Sequence, residues 1–264
     1  MKKVACLLAA LLMLAGCSSV PLTGRKQMLL VPDSEILSSS LTQYNSYIKS
    51  AKVSSNGKQS AQVQRVGKKI AAATEAYLKA NGMSDELKNF AWEFNLINDK
   101  QVNAFCMPGG KIVVYEGLMK LISSDDELAV VVGHEVAHAV AKHSNERMSQ
   151  QLVAQYGAAI LGSAVSNRGA AVQQLASTVF GVGAQYGVML PFSRKHEYEA
   201  DYIGMALMTI AGYDPNAALA FWQKMSAGTQ ASVPEYMSTH PSDANRIAAI
   251  KKNLAGIKAK YQKK

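Results

Sequence analysis

The stretch VVGHEVAHAVAKH, residues 131–143, places two histidines four positions apart in an otherwise almost wholly apolar segment. A capping box at residues 124–127 precedes it and predicts the start of a helix. Positions four apart lie on one face of a helix, so His134 and His138 can both reach one ion. Unpaired histidines would be costly inside such an apolar helix. The pattern therefore predicts a metal site, with Glu135 projecting beside the ion, rather than two satisfied core histidines.

A catalytic zinc site needs a third protein ligand and an open position for water. His143 follows His134 by nine residues, half a turn out of phase in a continuous helix, so we expect it to point away from the ion. Glu146 would lie about 18 Å from His134 along the same axis. Neither residue is expected to complete the site, so the third ligand has to come from another segment.

A second segment, KHEYEADYIG at residues 195–204, offers three acidic side chains in a helical pattern. Glu197 and Asp201 are four apart and share their face with an alanine and a glycine, which permit close packing against the first helix. Glu199 lies about 200° around the axis from Glu197 and is predicted to be a solvated or peripheral carboxylate. The phase predicts Glu197 as the third ligand, with Asp201 orienting a metal-bound histidine through its other ring nitrogen.

The N-terminal residues predict a secretory signal rather than part of the fold. Two lysines precede an apolar run at residues 4–14 that is too short to span a bilayer. The run ends in LAGC at residues 14–17, which resembles the bacterial lipobox, so residues 1–16 are predicted to be a lipoprotein signal peptide and Cys17 to be lipidated. An ordinary signal peptide with an incidental cysteine is the alternative. Ser18 favours, by resemblance to lipoprotein sorting rules, the outer membrane.

The rest of the chain predicts a tether at residues 17–32, which hold two prolines and no helical period, and one domain at residues 33–264. A half-buried strand in FAWEFNLIND, residues 90–99, is followed by a β-hairpin around a Pro-Gly-Gly turn. Residues 150–190 predict buried or surface-covering helices, because their glutamines disfavour a membrane span, and membrane contact stays open. Further helices are predicted at residues 33–51, 60–81, 124–148 and 194–211, after Pro215, and from Pro241 to the end.

Composition excludes several kinds of site. Cys6 leaves with the signal and Cys17 carries lipid, so Cys106 is the one thiol left in the fold, which excludes an internal disulfide and a thiolate zinc site. Cys106 is expected to be a small buried apolar residue.

The net charge is +9, and loss of the two signal lysines leaves 26 basic against 19 acidic residues, or +7. The basic cluster at residues 251–264 predicts a solvated helix, or else attraction to anionic lipid. Nucleic acid is not an expected partner.

Several motifs together resemble one family. The HExxH segment, SRKHEYEAD at residues 193–201, NAF at 103–105 and HPSDANR at 240–246 are similar to the zinc metallopeptidase family that includes the CAAX prenyl protease and the heat-shock protease HtpX. The resemblance implies a zincin-like α+β metallopeptidase domain, mostly helical, with a small β-sheet, an active-site HExxH helix and one Zn²⁺ per chain. In that family the first position of ExxxD binds the metal, which agrees with Glu197 on independent grounds.

The resemblance also implies roles outside the two helices. Relatives place a histidine and an arginine at the positions of His240 and Arg246 beside the zinc, so both are predicted to belong to the catalytic site. His240 either donates a hydrogen bond to the oxyanion or occupies the open zinc position and keeps the enzyme latent. An extended substrate is implied to pair with the edge strand that contains Asn103 and Ala104.

The resemblance is stronger to one branch of the family. The prenyl protease and HtpX have membrane-spanning helices, whereas this chain has a lipobox, so it is more similar to the periplasmic lipoprotein branch of the BepA/LoiP type. We predict a zinc-dependent endopeptidase, with Glu135 as base, lipid-anchored at the periplasmic face of the bacterial outer membrane. Misfolded or unassembled envelope proteins are its expected substrates, and outer-membrane assembly machinery is a candidate partner. The alternative is a zinc-stabilised periplasmic chaperone or assembly factor with little or latent proteolysis, and bacterial export disfavours a prenyl-type peptidase.

Overall fold

The described part of the chain is mostly helical and carries two small sheets, which confirms the predicted α+β class. The computed structural model describes residues 17–152, 193–227, 236, 240 and 244–262. The predicted signal peptide and most of the helices predicted for residues 150–190 fall outside these ranges. Within them, no helix is both long and apolar enough to cross a lipid bilayer. The elements are β1 (Cys17–Ser19), β2 (Lys26–Met28), α1 (Asp33–Ser50), α2 (Gly57–Ala80), a 3-10 helix (Ser84–Asn89), β3 (Glu93–Ile97), β4 (Ala104–Met107), β5 (Lys111–Tyr115), the short α3 (Glu116–Met119), α4 (Asp125–Val140), helical residues 143–152, α5 (Arg194–Ile210), α6 (Asn216–Ala227) and α7 (Ala244–Tyr261).

A three-stranded sheet with the order β3-β5-β4 packs against α2 and α4. β3 and β5 run parallel, whereas β4 and β5 form the predicted antiparallel hairpin. Its turn uses Gly109 and Gly110 at φ values of 91° and 79°, which residues with a side chain rarely adopt. The Tyr115 amide donates to the Asn103 carbonyl at 3.0 Å. Because the direction of backbone groups alternates along an antiparallel pair, those of Ala104 face away from β5, at the sheet's edge.

Helix α4, which carries the HExxH segment, runs through the buried centre of the fold. The Ser124 hydroxyl accepts the Glu127 amide at 3.1 Å, and the Glu127 carboxylate accepts the Ser123 amide at 2.7 Å. The first bond is the one that a capping box predicts, and the second reaches the amide one residue before the predicted partner Ser124. Every residue from Leu128 to His138 is buried. The helix therefore places all the side chains of its central turns among neighbouring elements.

The predicted continuation of α4 beyond Val140 is wrong. Lys142 adopts a φ of 53°, which ends the helix, and a new helical stretch begins immediately after it. The Lys142 ammonium lies 2.7 Å from the carboxylates of both Asp33 and Glu86, so long-range ion pairs stabilise this turn. The prediction that His143 points away from the site assumed one unbroken helix. The break instead turns His143 back towards α4.

Helices α4 and α5 cross with their backbones in contact. A Cβ on Gly204 would lie 2.9 Å from the carbonyl carbon of Gly133 and 2.9 Å from the amide nitrogen of His134. A Cβ on Gly133 would lie 3.0 Å from the Gly204 carbonyl oxygen. Neither position has room for a side chain, in agreement with the close packing expected from small residues on this face. The contact brings the turn that holds Glu197 and Asp201 against the two histidines of α4.

We expect Gly204→Ala to lower the free energy of unfolding by roughly 1–3 kcal/mol, because the added methyl group must push α5 away from α4. Thermal unfolding of the purified chain measures the change. Gly256→Ala in α7 is the matched control, since its Cβ would meet no atom within 4 Å. That substitution is expected to leave stability unchanged or to raise it slightly. Equal stability of the two variants would contradict a tight crossing at Gly204.

Residues 17–32, predicted to be a tether, include a small hairpin that belongs to the fold. β1 and β2 pair antiparallel, with Cys17 opposite Met28. Val20, between the strands, is 1% exposed and packs in the main hydrophobic core. Arg25 forms ion pairs with two carboxylates of the helical domain. Strands of three residues are too short to give a period in the sequence, so the pattern could not predict this hairpin.

Cys106 lies in β4 and is 5% exposed, which confirms the prediction of a buried apolar residue. Burial raises the pKa of its thiol well above the ordinary value. A thiol in that state is a poor nucleophile and a poor metal ligand.

Candidate metal centre

All five histidines of the chain are buried, and they meet near the crossing of α4 and α5. Ring centroids of successive neighbours lie 4.4–5.2 Å apart. Buried imidazoles need hydrogen-bond or metal partners. The five rings divide into a group that faces a cluster of metal donors and a group behind it. The first group is His134, His138 and His240, and the second is His143 and His196.

Four side chains present donor atoms to one point. Nε2 of His134 lies 3.0 Å from Nε2 of His138 and 3.2 Å from Nδ1 of His240. Carboxylate oxygens of Glu197 lie 3.4 Å from His134 Nε2, 3.6 Å from His138 Nε2 and 3.2 Å from His240 Nδ1. All four donors lie within 4.8 Å of one another, and all four side chains are buried. The structure thus brings together the three predicted ligands and adds His240 as a fourth donor.

These separations fit a tetrahedral zinc ion. Zinc bonds of about 2.0–2.2 Å to nitrogen and oxygen place neighbouring ligand atoms of a tetrahedron about 3.3–3.6 Å apart. Five of the six donor pairs are 3.0 to 3.6 Å apart, and all lie within 4.8 Å. Imidazole and carboxylate are also the donor types found in zinc sites of proteins. The residues present therefore match one Zn²⁺ in number, type and spacing.

The protonation of these side chains also suits a cation. Burial lowers the pKa of His138 well below the ordinary value, so its imidazole is neutral. Burial alone would raise the pKa of Glu197, but the nearby His240 and Arg246 lower it well below the ordinary value. Burial opposes protonation of His134, yet hydrogen bonds to Asp201 and Glu197 raise its pKa to about 9. A metal ion would displace that proton, because metal binding requires the neutral imidazole.

His134 is held from behind by a carboxylate and an arginine. Its Nδ1 lies 3.0 Å from Asp201 Oδ1, and Arg246 donates to both Asp201 oxygens, at 2.6 and 2.8 Å. The same guanidinium lies 3.1 Å from the Glu197 carboxylate and 3.7 Å from the ring centre of Trp222. Arg246, which the family resemblance placed in the catalytic site, thus contacts one donor, Glu197, and the carboxylate that holds another, Asp201. This geometry makes it a positioning residue.

Glu135 lies beside the donors and is 1% exposed. Its Oε1 is 3.5 Å from Nε2 of His240, and no described residue donates a hydrogen bond to that oxygen. A buried carboxylate oxygen without a donor is costly. The arrangement leaves Oε1 of Glu135 able to accept a proton next to the metal donors.

Glu199 was predicted to be solvated or peripheral, and the first part of that prediction is wrong. The side chain is directed away from the metal donors, as its helical phase indicates, but it is buried, with 8% of its surface exposed. Its Oε2 lies 3.1 Å from Nε2 of His143 and 2.6 Å from Nε of Arg25. The break after α4 and the N-terminal hairpin cover this face. The sequence pattern predicted neither feature.

The profile of Peptidase family M48 matches residues 57–254, three quarters of the chain, and this range contains all four donors. The chain belongs to peptidase family M48. Membership confirms the predicted metallopeptidase domain and agrees with the zincin-like α+β fold. The M48 match also covers the crossing of α4 and α5, the helices that carry three of the four donors.

Curated relatives of this M48 chain come from mitochondria and from bacteria. It is 39% identical over 202 residues to mitochondrial metalloendopeptidase OMA1 of Schizosaccharomyces pombe, which covers 76% of this chain and 54% of the relative. It is 28% identical over 234 residues to human OMA1, and the match covers 86% of this chain and 44% of the human protein. The beta-barrel assembly-enhancing protease of Escherichia coli K12 is 31% identical over 166 residues, and the match covers 60% of this chain and 33% of that protease. The chain spans about half or less of the length of these relatives. The narrower assignment to the lipoprotein branch stays a prediction, because mitochondrial proteins are among the more similar relatives.

The two residues predicted to bind substrate lie on the sheet edge beside α4. Asn103 and Ala104 are 3% and 0% exposed. The Asn103 carbonyl already accepts the Tyr115 amide, so of these two residues only Ala104 has backbone groups that face away from β5. The role of these two residues in substrate binding stays a prediction.

Proposed function

We propose that this M48 chain is a zinc-dependent endopeptidase. The observation that supports it most is the buried donor set of His134, His138 and Glu197 with the carboxylate of Glu135 beside it. A structural zinc site needs four ligands and no acid or base, whereas a hydrolytic site needs a nearby proton acceptor. The position of Glu135 between two donor histidines therefore favours hydrolysis.

Each residue of the site has a separate role in peptide cleavage. Zn²⁺, when bound, supplies a Lewis acid that lowers the pKa of water and polarises the scissile carbonyl. Glu135 accepts the proton of the attacking water and later delivers it to the leaving amine. Asp201 and Arg246 keep His134 and Glu197 in the orientation that binding requires.

The proposed substrates are unfolded segments of misfolded or unassembled envelope proteins. In the proposed mode, an extended chain adds to the edge of β4 at Ala104 by main-chain hydrogen bonds, which read little of the side-chain sequence. Ala104 is fully buried, so this edge has to open before a substrate can bind. This mode suits loose specificity.

We further propose attachment at the periplasmic face of the bacterial outer membrane through a lipid on Cys17, supported by the lipobox. The name of the Escherichia coli relative, beta-barrel assembly-enhancing protease, links that protein to β-barrel assembly, and we propose envelope proteins as substrates and outer-membrane assembly machinery as a partner of this chain.

His240 favours a second function, that of a zinc-stabilised chaperone or assembly factor with little or latent proteolysis. Its Nδ1 lies 3.2 Å from both His134 Nε2 and a Glu197 oxygen. A fourth protein donor is the mark of a closed, structural zinc site. Whether removing His240 releases hydrolysis separates a latent protease from a chaperone.

We expect His240→Ala to raise the turnover of an unfolded protein by about tenfold or more, because it opens the fourth metal position. A tenfold rise corresponds to a closed form favoured by about 1.4 kcal/mol. Initial cleavage rates of a labelled unfolded protein, measured on the zinc-loaded full chain with and without a chelator, give the result.

The double variant His240→Ala/Glu135→Gln is the control, and its rate is expected to fall to background if the gain arises at this site. A fall of roughly 10²- to 10³-fold in the single variant would instead assign His240 to the oxyanion. Absence of cleavage by both the wild-type chain and His240→Ala, with zinc bound, would favour the chaperone.

A further inference from the structure

His138 is held from behind by a chain of contacts that parallels the one behind His134. Behind His134 stand a carboxylate and an arginine, both from the helical domain. Behind His138 stands His143, with its Nδ1 2.9 Å from the Nδ1 of His138. The Nε2 of His143 lies 3.1 Å from Glu199. Each of these two metal ligands is therefore linked to a buried carboxylate, one directly and one through a second imidazole.

The proton positions give this chain of contacts a direction. With Nε2 of His138 facing the metal donors, its Nδ1 carries the proton and donates to Nδ1 of His143. Nε2 of His143 then carries the proton of that ring and donates to Glu199. Both imidazoles are thus fixed in one tautomer and one ring orientation.

Glu199 is fixed in turn by the N-terminal hairpin. The Thr23 hydroxyl donates to its Oε1 at 2.5 Å, and Nε of Arg25 donates to its Oε2 at 2.6 Å. The other two nitrogens of Arg25 donate to Glu146 at 2.8 and 2.6 Å. The Glu199 carboxylate thus accepts from three donors, which are His143, Thr23 and Arg25.

The turn that carries these two residues has a defined backbone. Leu22 and Gly24 adopt φ values of 66° and 70° on either side of Thr23. A leucine rarely adopts this region and persists in it only where the surrounding structure holds it. The Val20 amide closes the turn by donating to the Arg25 carbonyl at 2.8 Å. The hairpin thus presents Thr23 and Arg25 to Glu199 in one geometry.

We propose that Thr23 and Arg25 are positioning residues for the metal ligand His138, acting through Glu199 and His143. The inference rests on the proposed metal centre. Arg25 is the cation that Glu199 and Glu146 share, so its loss leaves two buried carboxylates to rearrange. His143 then loses its fixed acceptor, and His138 loses its fixed orientation.

The test measures zinc affinity and ligand geometry rather than activity. We expect Arg25→Met in the full chain to weaken zinc binding about tenfold, the low end of the effect of losing a direct partner of a metal ligand, because Arg25 acts through Glu199 and His143. Competition with a chromophoric chelator gives the affinity, and the absorption spectrum of the Co²⁺-loaded chain gives the geometry. Arg25→Lys keeps the charge without the two-pronged donor and is expected to recover part of the affinity. Arg65→Met is the matched control, because Arg65 makes an equivalent pair with Asp125 at 58% side-chain exposure.

Thermal unfolding with and without zinc separates positioning from general destabilisation. If Arg25 has only a structural role, the substitution lowers the melting temperatures of the zinc-free and zinc-loaded chains equally. If it has a positioning role, the substitution reduces the rise in melting temperature that zinc causes. If Arg25→Met does not fold, Thr23→Val decides, with a several-fold loss of zinc affinity expected. Wild-type zinc affinity and Co²⁺ spectrum in the folded variant would overturn the inference. Failure of the wild-type chain to bind zinc would instead refute the proposed metal centre.

Discussion

The Glu135→Gln variant is expected to bind zinc like the wild-type chain and to cleave an unfolded protein roughly 10²- to 10⁴-fold more slowly, the usual contribution of a positioned general base. Glutamine keeps the size of the side chain but cannot accept the proton of the attacking water. None of the four donor atoms is removed. Zinc content and initial cleavage rates are measured on the same preparation. The comparison is made most sensitive in the His240→Ala background, where the proposed fourth donor is absent.

The result separates a missing base from a damaged site. Equal zinc content and an unchanged melting temperature establish that only the proton acceptor is lost. Full activity with zinc bound would show that another group serves as base and would remove the main support for the proposed mechanism. A loss of zinc together with activity would mean that Glu135 helps to hold the metal.

Glu197→Gln is expected to lower zinc affinity by more than about 100-fold, beyond the range caused by losing an outer partner of a ligand. The substitution replaces an ionised donor by a neutral amide. It also removes the carboxylate that faces the buried guanidinium of Arg246, at 3.1 Å. Hydrolysis is expected to fall with zinc occupancy. Metal analysis of the purified chain, with a titration of added zinc, gives the measurement.

Glu93→Gln is the control for this change. Glu93 also pairs with a basic side chain, Lys111 at 2.7 Å, but its own side chain is 48% exposed and remote from the donors. The zinc content of the Glu93→Gln variant is expected to match that of the wild-type chain. Retention of tight zinc binding by Glu197→Gln would show that the fourth donor His240 and the two histidines of α4 suffice.

The sequence could predict the part of the site that depends on local periodicity. The spacing of His134 and His138, and the phase of Glu197 and Asp201, follow from 3.6 residues per turn within single helices. The small residues on α5 likewise predict a close crossing. These inferences needed only that each helix be regular over one or two turns.

The rest depended on contacts between distant segments. Lys142 leaves the helical region because two carboxylates from α1 and the 3-10 helix bind its ammonium, and this reversed the predicted direction of His143. Glu199 became buried because the N-terminal hairpin packs on it. Trp222, which stacks on Arg246, has no spacing signal at all. The hydrophobic periodicity of one helix does not indicate which distant segments cover each of its faces.

The contact between Gly133 and Gly204 has a thermodynamic consequence for how the metal is acquired. In small zinc modules the ion itself organises its ligands, and binding and folding are one event. Here the backbones of α4 and α5 touch, and the donors stand on helices buried in a continuous apolar core. The conformational entropy of ordering three of the four ligands is therefore lost when the helices pack, before an ion arrives. The proposed zinc would therefore meet ligands that are already ordered, and the fold would depend on the helix crossing more than on the metal.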